Sequence, residues 1–323
     1  MKGIIQRKYG SPDVLELKDL EKPVPSDNEV LIKVYAASIN NADLDYLHGS
    51  CVVRPGGLFR PKNKIPGSDI AGKVEFVGKK VSRFKVNDEV MADLTECGFS
   101  AFAEYVTAPE KAISLKPAGI SFVEAACIPQ AASLACQSLM DHRRVSQGDR
   151  VLINGAGGGT GTFAIQVARH FGAEVTAVDK SNKLSMMSSI GADHVMDYMK
   201  EDFAKSTIQY DLIIDLMASR PVSDIRKVLS PDGSYVMVGG SLKIALQIIL
   251  WKQVRAKSNK QKLNVLYGQV NKYLDRMSDL IEKGIIKFVI DSTYPLEEIS
   301  KAFWQFQKGY SSGKIAITIC DNK

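Results

Sequence analysis

The sequence predicts an α/β protein with two domains, a barrel-like β domain and a domain built on a doubly wound parallel sheet. Its 323 residues exceed the size, about 250 residues, at which a single core stops growing. Residues 1 to about 120 hold short alternating apolar runs between glycines and prolines, which is typical of a β-rich domain. From about Phe122, nearly continuous apolar runs alternate with helical stretches, which indicates a parallel sheet covered on both faces.

The elements of the second domain follow from this alternation. Strands are predicted at 150–156, 174–179, 194–198, 211–216, 234–239 and 262–267. Helices are predicted at 122–139, 160–170, 183–190, 222–229 and 269–283. An apolar run at 285–290, a helix at 296–307 and a strand at 314–319 return to the pattern of the first domain. The predicted domain boundaries are therefore 1–121 with 268–323, and 122–267.

Composition excludes several classes of protein. Hydrophobic residues make up 45% and charged residues 24% of the chain, which excludes a disordered or collagen-like protein. The richest apolar stretch, 244–251, contains Gln247 and is shorter than the ~20 residues of a membrane-spanning helix. The first residues lack the apolar stretch of a secretory signal, and the five cysteines are scattered without a CxxC pair. We therefore expect reduced thiols and a cytoplasmic location.

The net charge of the chain is +6, a modest excess for its length. The densest basic part is the stretch 252–262, KQVRAKSNKQK. No aromatic residues are interleaved with these cations, so we do not predict nucleic-acid binding there. A polyanionic cofactor explains a modest positive excess equally well.

The strongest chemical motif is the glycine-rich run 154–161, NGAGGGTG. It lies between a predicted strand and a predicted helix, where glycines allow a tight turn and a close approach of the backbone to a pyrophosphate. Strict GxGxxG spacing is absent, but the strand–turn–helix context predicts dinucleotide binding. The residues assigned to it are Gly155, Gly158, Gly159, Thr160 and Gly161.

Asp179 ends the next predicted strand, 18 residues after Gly161. This is close to the spacing of a carboxylate that binds the cofactor ribose. A carboxylate there favours NADH, because it accepts hydrogen bonds from ribose hydroxyls and repels a 2′-phosphate. Lys180 and Lys183 favour NADPH as partners of that phosphate. The sequence leaves both cofactors open.

These segments, taken together, resemble a known family. The motifs include 9–17 (YGSPDVLEL), 28–34 (NEVLIKV), 38–43 (SINNAD), 66–72 (PGSDIAG), 84–90 (FKVNDEV), 103–106 (AEYV) and the run from 148 through the glycine turn. The chain resembles the zinc-free quinone oxidoreductases of the medium-chain dehydrogenase/reductase superfamily. The resemblance implies a GroES-like barrel plus a Rossmann domain, and a homodimer formed through the edge strand at 262–267.

The resemblance also implies NAD(P)H-dependent hydride transfer to quinones or α,β-unsaturated carbonyl compounds. Zinc-dependent members of the superfamily hold their metal with Cys and His ligands. Asn40 and Ser68 stand at two of these positions and Gln130 lies near the third, so we predict no zinc. Two alternatives stay open. One is an enoyl-thioester reductase of the same superfamily, and the other is a nucleotide-binding redox sensor or interaction protein with little turnover.

The resemblance assigns the remaining site residues. Asn40 matches an asparagine near the nicotinamide and substrate, and Tyr46 and His48 follow it as candidate proton or hydrogen-bond donors. These three are the predicted catalytic residues, while Asp43 is predicted to support the fold. Leu134 stands where the family usually has a threonine beside the nicotinamide. In addition to the glycine turn, Asp179, Lys180 and Lys183, the predicted cofactor-binding set contains Ser133, Tyr198, Val238, Gly239 and Lys314.

Overall fold

The computed structural model describes residues 1–50, 57–254 and 260–320 of the protein. Within them the chain divides into two compact units. Unit 1 comprises Met1–Gln130, Val270–Glu282 and Phe288–Lys323, and unit 2 comprises Ala131–Gln269 and Lys283–Lys287. Cys51 and part of the basic stretch 252–262 lie outside the described residues.

Helices and strands follow one another in the two patterns that the sequence predicts. The first part of the chain holds β1 Lys2–Gln6, β2 Leu15–Asp19, β3 Glu29–Ser38, α1 Asn41–His48, β4 Asp69–Val77, β5 Glu89–Asp93, β6 Tyr105–Pro109, β7 Ser114–Leu115 and α2 Phe122–Ala126. The middle part holds α3 Pro129–Met140, β8 Arg150–Asn154, α4 Gly159–His170, β9 Glu174–Asp179, α5 Leu184–Ser189, β10 His194–Asp197, β11 Tyr210–Asp215, α6 Val222–Lys227, β12 Leu229–Met237, α7 Leu242–Val254 and β13 Lys262–Val265. The last part holds α8 Leu274–Glu282, β14 Ile290–Pro295, α9 Ile299–Gln307 and β15 Lys314–Thr318.

Unit 1 is built on a sheet with the strand order β14-β15-β3-β4-β5-β7, in which β6 also pairs with β3. Its strands are antiparallel to their neighbours except for the pair β14 and β15. Inward-facing side chains such as Ile32, Val90 and Phe102 fill the core of the unit. Unit 1 continues to Gln130, past the predicted boundary at 121, because α2 packs against β3 and β4.

Unit 2 contains a parallel sheet with the strand order β10-β9-β8-β11-β12-β13. This is the order of a doubly wound dinucleotide-binding fold, and the predicted fold class is confirmed. Val151, Leu152 and Ile153 of β8 are fully buried, as expected for a central strand covered on both faces. The strand order reverses between β8 and β11, which is where such folds bind their ligands.

Several predicted elements are corrected by the structure. The helix predicted at 269–283 begins only at Leu274, because Asn271 and Tyr273 adopt left-handed backbones with φ of 61° and 66°. The apolar run predicted at 285–290 joins a strand only at its last residue, Ile290. Helix α7 is missing from the predicted elements, because its apolar residues surround the helix and leave no one-sided stripe. In the part of the chain that is described, no helix is long and apolar enough to span a membrane.

Candidate functional site

The glycine-rich run of unit 2 connects β8 to α4. Gly155 turns the chain with a φ of 84°, a left-handed backbone that favours glycine. The N–H groups of Gly155 and Ala156 both donate to the Val178 carbonyl, at 2.9 and 3.1 Å. Since α4 begins at Gly159, the N–H groups of its first turn, including that of Thr160, have no acceptor within the helix. A helix N-terminus that follows such a turn is suited to binding a phosphate.

Two glycines of the run have different surroundings. A Cβ at Gly161 would lie 2.4 Å from the Ala156 carbonyl oxygen, so α4 packs this closely on the turn only with glycine there. A Cβ at Gly158 would meet nothing nearer than the Gly155 carbonyl oxygen, at 3.6 Å. The Gly158 N–H donates to that same carbonyl at 3.2 Å. Gly158 therefore leaves space in front of the helix, while its own N–H is used within the turn.

Asp179, at the end of β9, faces the glycine turn. Its Oδ2 accepts from the Gly157 N–H at 2.9 Å, and its Oδ1 accepts from the Lys180 N–H at 2.8 Å. The Lys183 ammonium lies 3.4 Å from Oδ1, and both side chains are less than a tenth exposed. The carboxylate of Asp179 thus supports the turn and has its own counter-ion. The spacing from the glycine-rich run identifies Asp179 in the sequence, but it does not predict the ion pair between Asp179 and Lys183.

Three further predicted cofactor residues follow the ends of strands. Tyr198 comes directly after β10, its N–H donates to the Asp179 carbonyl at 3.2 Å, and its side chain is 41% exposed. Val238 and Gly239 come directly after β12, and both donate their N–H groups to the Asp215 carbonyl, at 2.9 and 3.4 Å. The structure therefore places all three at the carboxyl edge of the parallel sheet.

Ser133 has a different environment from the other predicted cofactor residues. It is buried in α3, where its Oγ accepts from Gln137 Nε2 at 2.8 Å and donates to the Gln269 carbonyl at 3.3 Å. Its single hydroxyl proton therefore already has an acceptor within unit 2. This geometry favours a structural role and speaks against the predicted contact of Ser133 with a cofactor.

A buried polar cluster around Asp215 is missing from the predicted site. Asp215 Oδ1 accepts from Asn154 Nδ2 at 2.8 Å and from the Met217 N–H at 3.1 Å, and its Oδ2 accepts from the Tyr235 hydroxyl at 2.9 Å. Burial raises the pKa of Asp215, and these three donors oppose the rise. The cluster joins the ends of β8 and β11, where the strand order reverses. In the sequence, this cluster could have been recognised from Asp215, an acidic residue that ends the apolar run of β11.

In unit 1, Asn40 belongs to a buried polar network. Its Nδ2 donates to Asp69 Oδ2 at 2.8 Å and to Ser68 Oγ at 3.0 Å, and its Oδ1 accepts from the Lys314 ammonium. Lys314 also donates to the Ile39 carbonyl at 3.2 Å, lies 3.6 Å from Asp69 Oδ2 and is 3% exposed. The Asn40 amide is therefore fully engaged within unit 1. The geometry likewise argues against the predicted cofactor contact of Lys314, because its ammonium is held by these buried groups.

Asp43 supports the same network from α1. Its Oδ2 accepts from the Asn40 N–H at 2.8 Å and from Ser68 Oγ at 3.1 Å. Its Oδ1 is buried and, among the described residues, has no hydrogen-bond partner. Burial raises the pKa of Asp43 to about 8, and burial also raises that of Asp69 to about 7 against the opposing charge of Lys314.

Tyr46 and His48 are the other predicted catalytic residues. The Tyr46 hydroxyl donates to the Asn63 carbonyl at 2.6 Å and accepts from the Asn63 N–H at 2.9 Å. The Tyr46 ring packs on Phe99 with 4.4 Å between centroids. Its only proton is thus given to the backbone, which argues against the predicted proton-donor role. His48 is exposed, and its Nε2 lies 2.7 Å from Gln307 Nε2.

Comparisons with known proteins match both parts of the chain. Residues 26–118 match the alcohol dehydrogenase GroES-like domain, and residues 190–317 match the family described as zinc-binding dehydrogenase. A chloroplastic quinone-oxidoreductase homolog from Spinacia oleracea is 32% identical over 317 residues, which cover 95% of this chain and 95% of that protein. The chain belongs to the quinone oxidoreductase-like family of the medium-chain dehydrogenase/reductase superfamily.

A further relative and a solved structure agree with this family assignment. The chloroplastic NADPH-dependent alkenal/one oxidoreductase of Arabidopsis thaliana is 31% identical, with 98% of this chain and 79% of that protein covered. The structure of the quinone oxidoreductase from Coxiella burnetii superimposes with a TM-score of 0.88 at 29% identity, with 99% of both chains covered. The predicted family is confirmed. The two plant relatives are chloroplastic, and the predicted cytoplasmic location stays a prediction.

In this family, the residues at the zinc-ligand positions indicate whether a metal can be held. Asn40 and Ser68 are hydrogen-bonded to each other, and Gln130 Nε2 donates to Asp93 Oδ2 at 3.1 Å. Amide and hydroxyl groups are not the thiolate, imidazole or carboxylate ligands that zinc takes in proteins. Among the described residues, no group of three or more His, Cys, Asp or Glu side chains is arranged to hold a metal ion.

Proposed function

We propose that the protein is an NAD(P)H-dependent oxidoreductase that transfers hydride to quinones or α,β-unsaturated carbonyl compounds without using zinc. The observation that carries this proposal is the glycine turn, which leaves open space at Gly158 directly before the N-terminus of α4. The chain that contains it is similar over nearly its whole length to proteins named quinone oxidoreductase and alkenal/one oxidoreductase.

The residues of unit 2 fit a dinucleotide. The N–H groups of Gly159 and Thr160 would hold the pyrophosphate, and the absence of a side chain at Gly158 lets it approach the backbone. Tyr198 would contact the adenosine end, and the chain after β12, at Val238 and Gly239, would pass the nicotinamide end. When bound, the reduced nicotinamide supplies the hydride.

We propose that NADPH is the preferred cofactor. The carboxylate oxygens of Asp179 already accept two backbone N–H groups and lie beside the Lys183 ammonium, which leaves about one of their four acceptor positions for ribose hydroxyls. Its charge is balanced by Lys183, which weakens the repulsion of a 2′-phosphate. Lys180, the next residue in the chain after Asp179, is a second positively charged side chain that could attract the 2′-phosphate. These contacts weaken the argument for NADH that the sequence offers.

The zinc-free part of the proposal rests on the neutral groups at the former ligand positions. Hydride transfer builds negative charge on the acceptor, and without a metal this charge must be met by hydrogen-bond donors or spread within the substrate. Conjugated acceptors spread the charge into an enolate or phenolate. The Asn40 amide is fully engaged within unit 1, so we do not assign it a direct hydrogen bond to the substrate.

We also propose a homodimer that forms through β13. This strand ends the parallel sheet of unit 2, so one of its edges has no partner within the described residues. An open strand edge of this kind pairs readily with another copy. Val265→Asp is expected to produce monomers, measured as mass in solution by light scattering. An unchanged dimer mass would contradict the assignment of β13 as the interface.

The first experiment measures the oxidation of NADPH and of NADH side by side with a panel of quinones, enones and enoyl thioesters, with and without a chelator. The expected result is chelator-resistant oxidation that is faster with NADPH. Preference for enoyl thioesters would support the enoyl-thioester reductase instead. Binding of both cofactors without turnover would support the redox-sensor alternative, and loss of activity with the chelator would overturn the zinc-free proposal.

A matched pair of variants tests the glycine turn itself. Gly158→Val is expected to fold normally, because its φ of −89° suits any residue and its surroundings are open. Its side chain would occupy the space before α4, so cofactor affinity should fall at least ~tenfold. Val24→Ser, a change on an exposed surface of unit 1, is the control and should bind cofactor normally. Unchanged affinity in Gly158→Val would show that the pyrophosphate lies elsewhere.

A further inference from the structure

Helix α7 has two apolar faces, and the described part of the chain covers only one of them. Ile244 and Ile248 are buried in the core of unit 2, at 3% and 0% exposed. Leu242, Leu246, Ile249 and Leu250 are 56%, 59%, 41% and 60% exposed. We call these four residues the outer stripe. Four large aliphatic side chains exposed together on one helix mark an interaction surface rather than ordinary scattered exposure.

The positions of these residues explain the two faces. At about 100° per residue, the outer stripe covers about 100° of the helix circumference, and Ile244 and Ile248 point to the opposite side. Lys243 borders the stripe and is exposed. The strength with which a helix binds a lipid surface depends on the apolar area that it buries and on its attraction to anionic headgroups.

Charge around α7 is strongly one-sided. Residues 233–274 contain seven Lys or Arg residues and no Asp or Glu. The whole chain has a net charge of +6, so all other residues together carry −1. Of the seven cations, Lys243 and Lys252 lie on α7. The exposed Lys260 lies two residues before β13 and the exposed Lys262 begins it, and α7 packs against this strand.

The neighbouring helix α6 does not reverse this local charge. Its acidic residue, Asp224, is paired with Lys227 at 2.9 Å. Arg226 of the same helix lies over the ring of Trp251 in α7, 5.4 Å from the ring centroid. The exposed Asp232 lies beside Lys260, because Ser234 pairs with Lys262 in the parallel register of β12 and β13. Lys243, Lys260 and Lys262 outnumber this carboxylate, so the surroundings of α7 carry a net positive charge next to exposed aliphatic side chains.

We propose that the outer stripe of α7 docks the protein onto an anionic lipid surface. The leucines and the isoleucine would enter the boundary between headgroups and acyl chains, and Lys243, Lys260 and Lys262 would meet lipid phosphates. A second copy of the chain already has a proposed place at the edge of β13, and the mass in solution tests below whether it also covers the outer stripe. Nucleic acid fits the outer stripe less well than a lipid surface does, because its phosphate backbone offers no apolar surface on which the aliphatic side chains could be buried. The proposal does not depend on the catalytic one.

Flotation of the full-length protein with lipid vesicles tests this docking. Binding is expected to vesicles of phosphatidylcholine mixed with phosphatidylglycerol, and to be much weaker with phosphatidylcholine alone or at high salt. The double variant Leu246→Ser, Leu250→Ser should bind at least ~tenfold more weakly. Replacing Lys243, Lys260 and Lys262 by glutamine should weaken binding about fivefold for each lysine removed.

Matched variants and a second readout separate the possible occupants. Val24→Ser with Val86→Ser, and glutamine at Lys79, Lys80 and Lys308, change exposed residues of unit 1 and should leave vesicle binding unchanged. Thermal melts confirm that each variant is folded. No binding of the native protein to anionic vesicles would overturn the proposal. If the Leu246, Leu250 variant instead changes the mass in solution, the stripe contacts a second copy, and if native protein binds duplex DNA but no vesicles, the basic segment serves nucleic acid.

Discussion

The ammonium of Lys183 lies 3.4 Å from the carboxylate of Asp179, and the two side chains are buried together beside the glycine turn. The two residues are four positions apart, at the end of β9 and in the segment that follows it. A Cβ at Gly157 would lie 2.5 Å from Lys183 Cδ, which shows how tightly the pair packs against the turn. The charge that faces the expected ribose is therefore set by two residues together.

Removing one member of this pair should shift the choice of cofactor. Lys183→Met leaves the Asp179 charge unbalanced, so the affinity for NADPH should fall about tenfold more than that for NADH. Asp179→Asn removes the charge, keeps an oxygen for the Gly157 N–H, and should change the ratio in the opposite direction. Fluorescence titration with each nucleotide measures both ratios. Equal losses for the two cofactors would show that the pair only supports the turn.

Gly161 should be needed for stability and not only for binding. Gly161→Ala places a Cβ 2.4 Å from the Ala156 carbonyl oxygen, which α4 can relieve only by moving away from the turn. The free energy of unfolding should fall by about 1–3 kcal/mol, measured by urea denaturation. Gly158→Ala, with open space at its Cβ, is the control and should lose less than ~1 kcal/mol. Equal losses in the two variants would mean that the close contact at Gly161 has no energetic effect.

The buried carboxyl of Asp43 should make stability depend on pH. Its folded-state pKa is raised from 3.8 to about 8, so between those values the folded protein holds a proton that the unfolded chain has released. Stability should therefore fall as pH rises through this window, by up to ~1.4 kcal/mol per pH unit for one proton. Asp43→Asn should flatten this dependence and be the more stable protein near pH 8.

The pH dependence is measured as the urea midpoint across the window in the native protein and the variant. Asp45→Asn changes an exposed residue of the same helix and should leave the native slope intact. Asp69 remains in both proteins, and its own pKa of about 7 adds a smaller dependence to each. Parallel curves for the native protein and Asp43→Asn would show that Asp43 stays ionised in the fold.

Tyr46→Phe separates a structural role from a catalytic one. The change removes the hydroxyl that bonds both the carbonyl and the N–H of Asn63, so the free energy of unfolding should fall by about 1–2 kcal/mol. The turnover number should change less than about threefold, because the hydroxyl proton is already given to the backbone. A loss of turnover of ~100-fold without loss of stability would restore Tyr46 as a proton donor.

The fold was largely predictable because its determinants are local. Each strand of the parallel sheet has its own apolar run in the sequence. The glycine turn is recognisable because its backbone shape and close packing require glycine at several positions. The strand predicted at 262–267 ends at Val265, and the one predicted at 234–239 begins earlier, at Leu229. Helix α7 escaped prediction because side chains on both of its faces are apolar.

The buried polar networks could not be predicted in the same way. Lys314 and Asn40 are 274 residues apart in sequence, and Tyr235 and Asp215 are 20 apart. Only strand pairing brings each pair together, so no spacing rule marks them in the sequence. For the same reason Tyr46 and Ser133 look available in the sequence, although their hydroxyl protons are already bound in the structure.

The strand order of unit 1 also affects how the chain is made. Residues Ala36, Ala37 and Ser38 of β3 pair with β15, which begins only at Lys314. During synthesis, the segment Ala131–Gln269 leaves the ribosome before β15 exists, so unit 2 can fold while this part of β3 has β4 on one side and no strand yet on the other. A chain released before Lys314 would keep that edge open to pairing with other chains. Only a chain that has reached β15 covers this edge of β3, so we expect chains that end early to aggregate more readily than the full-length protein.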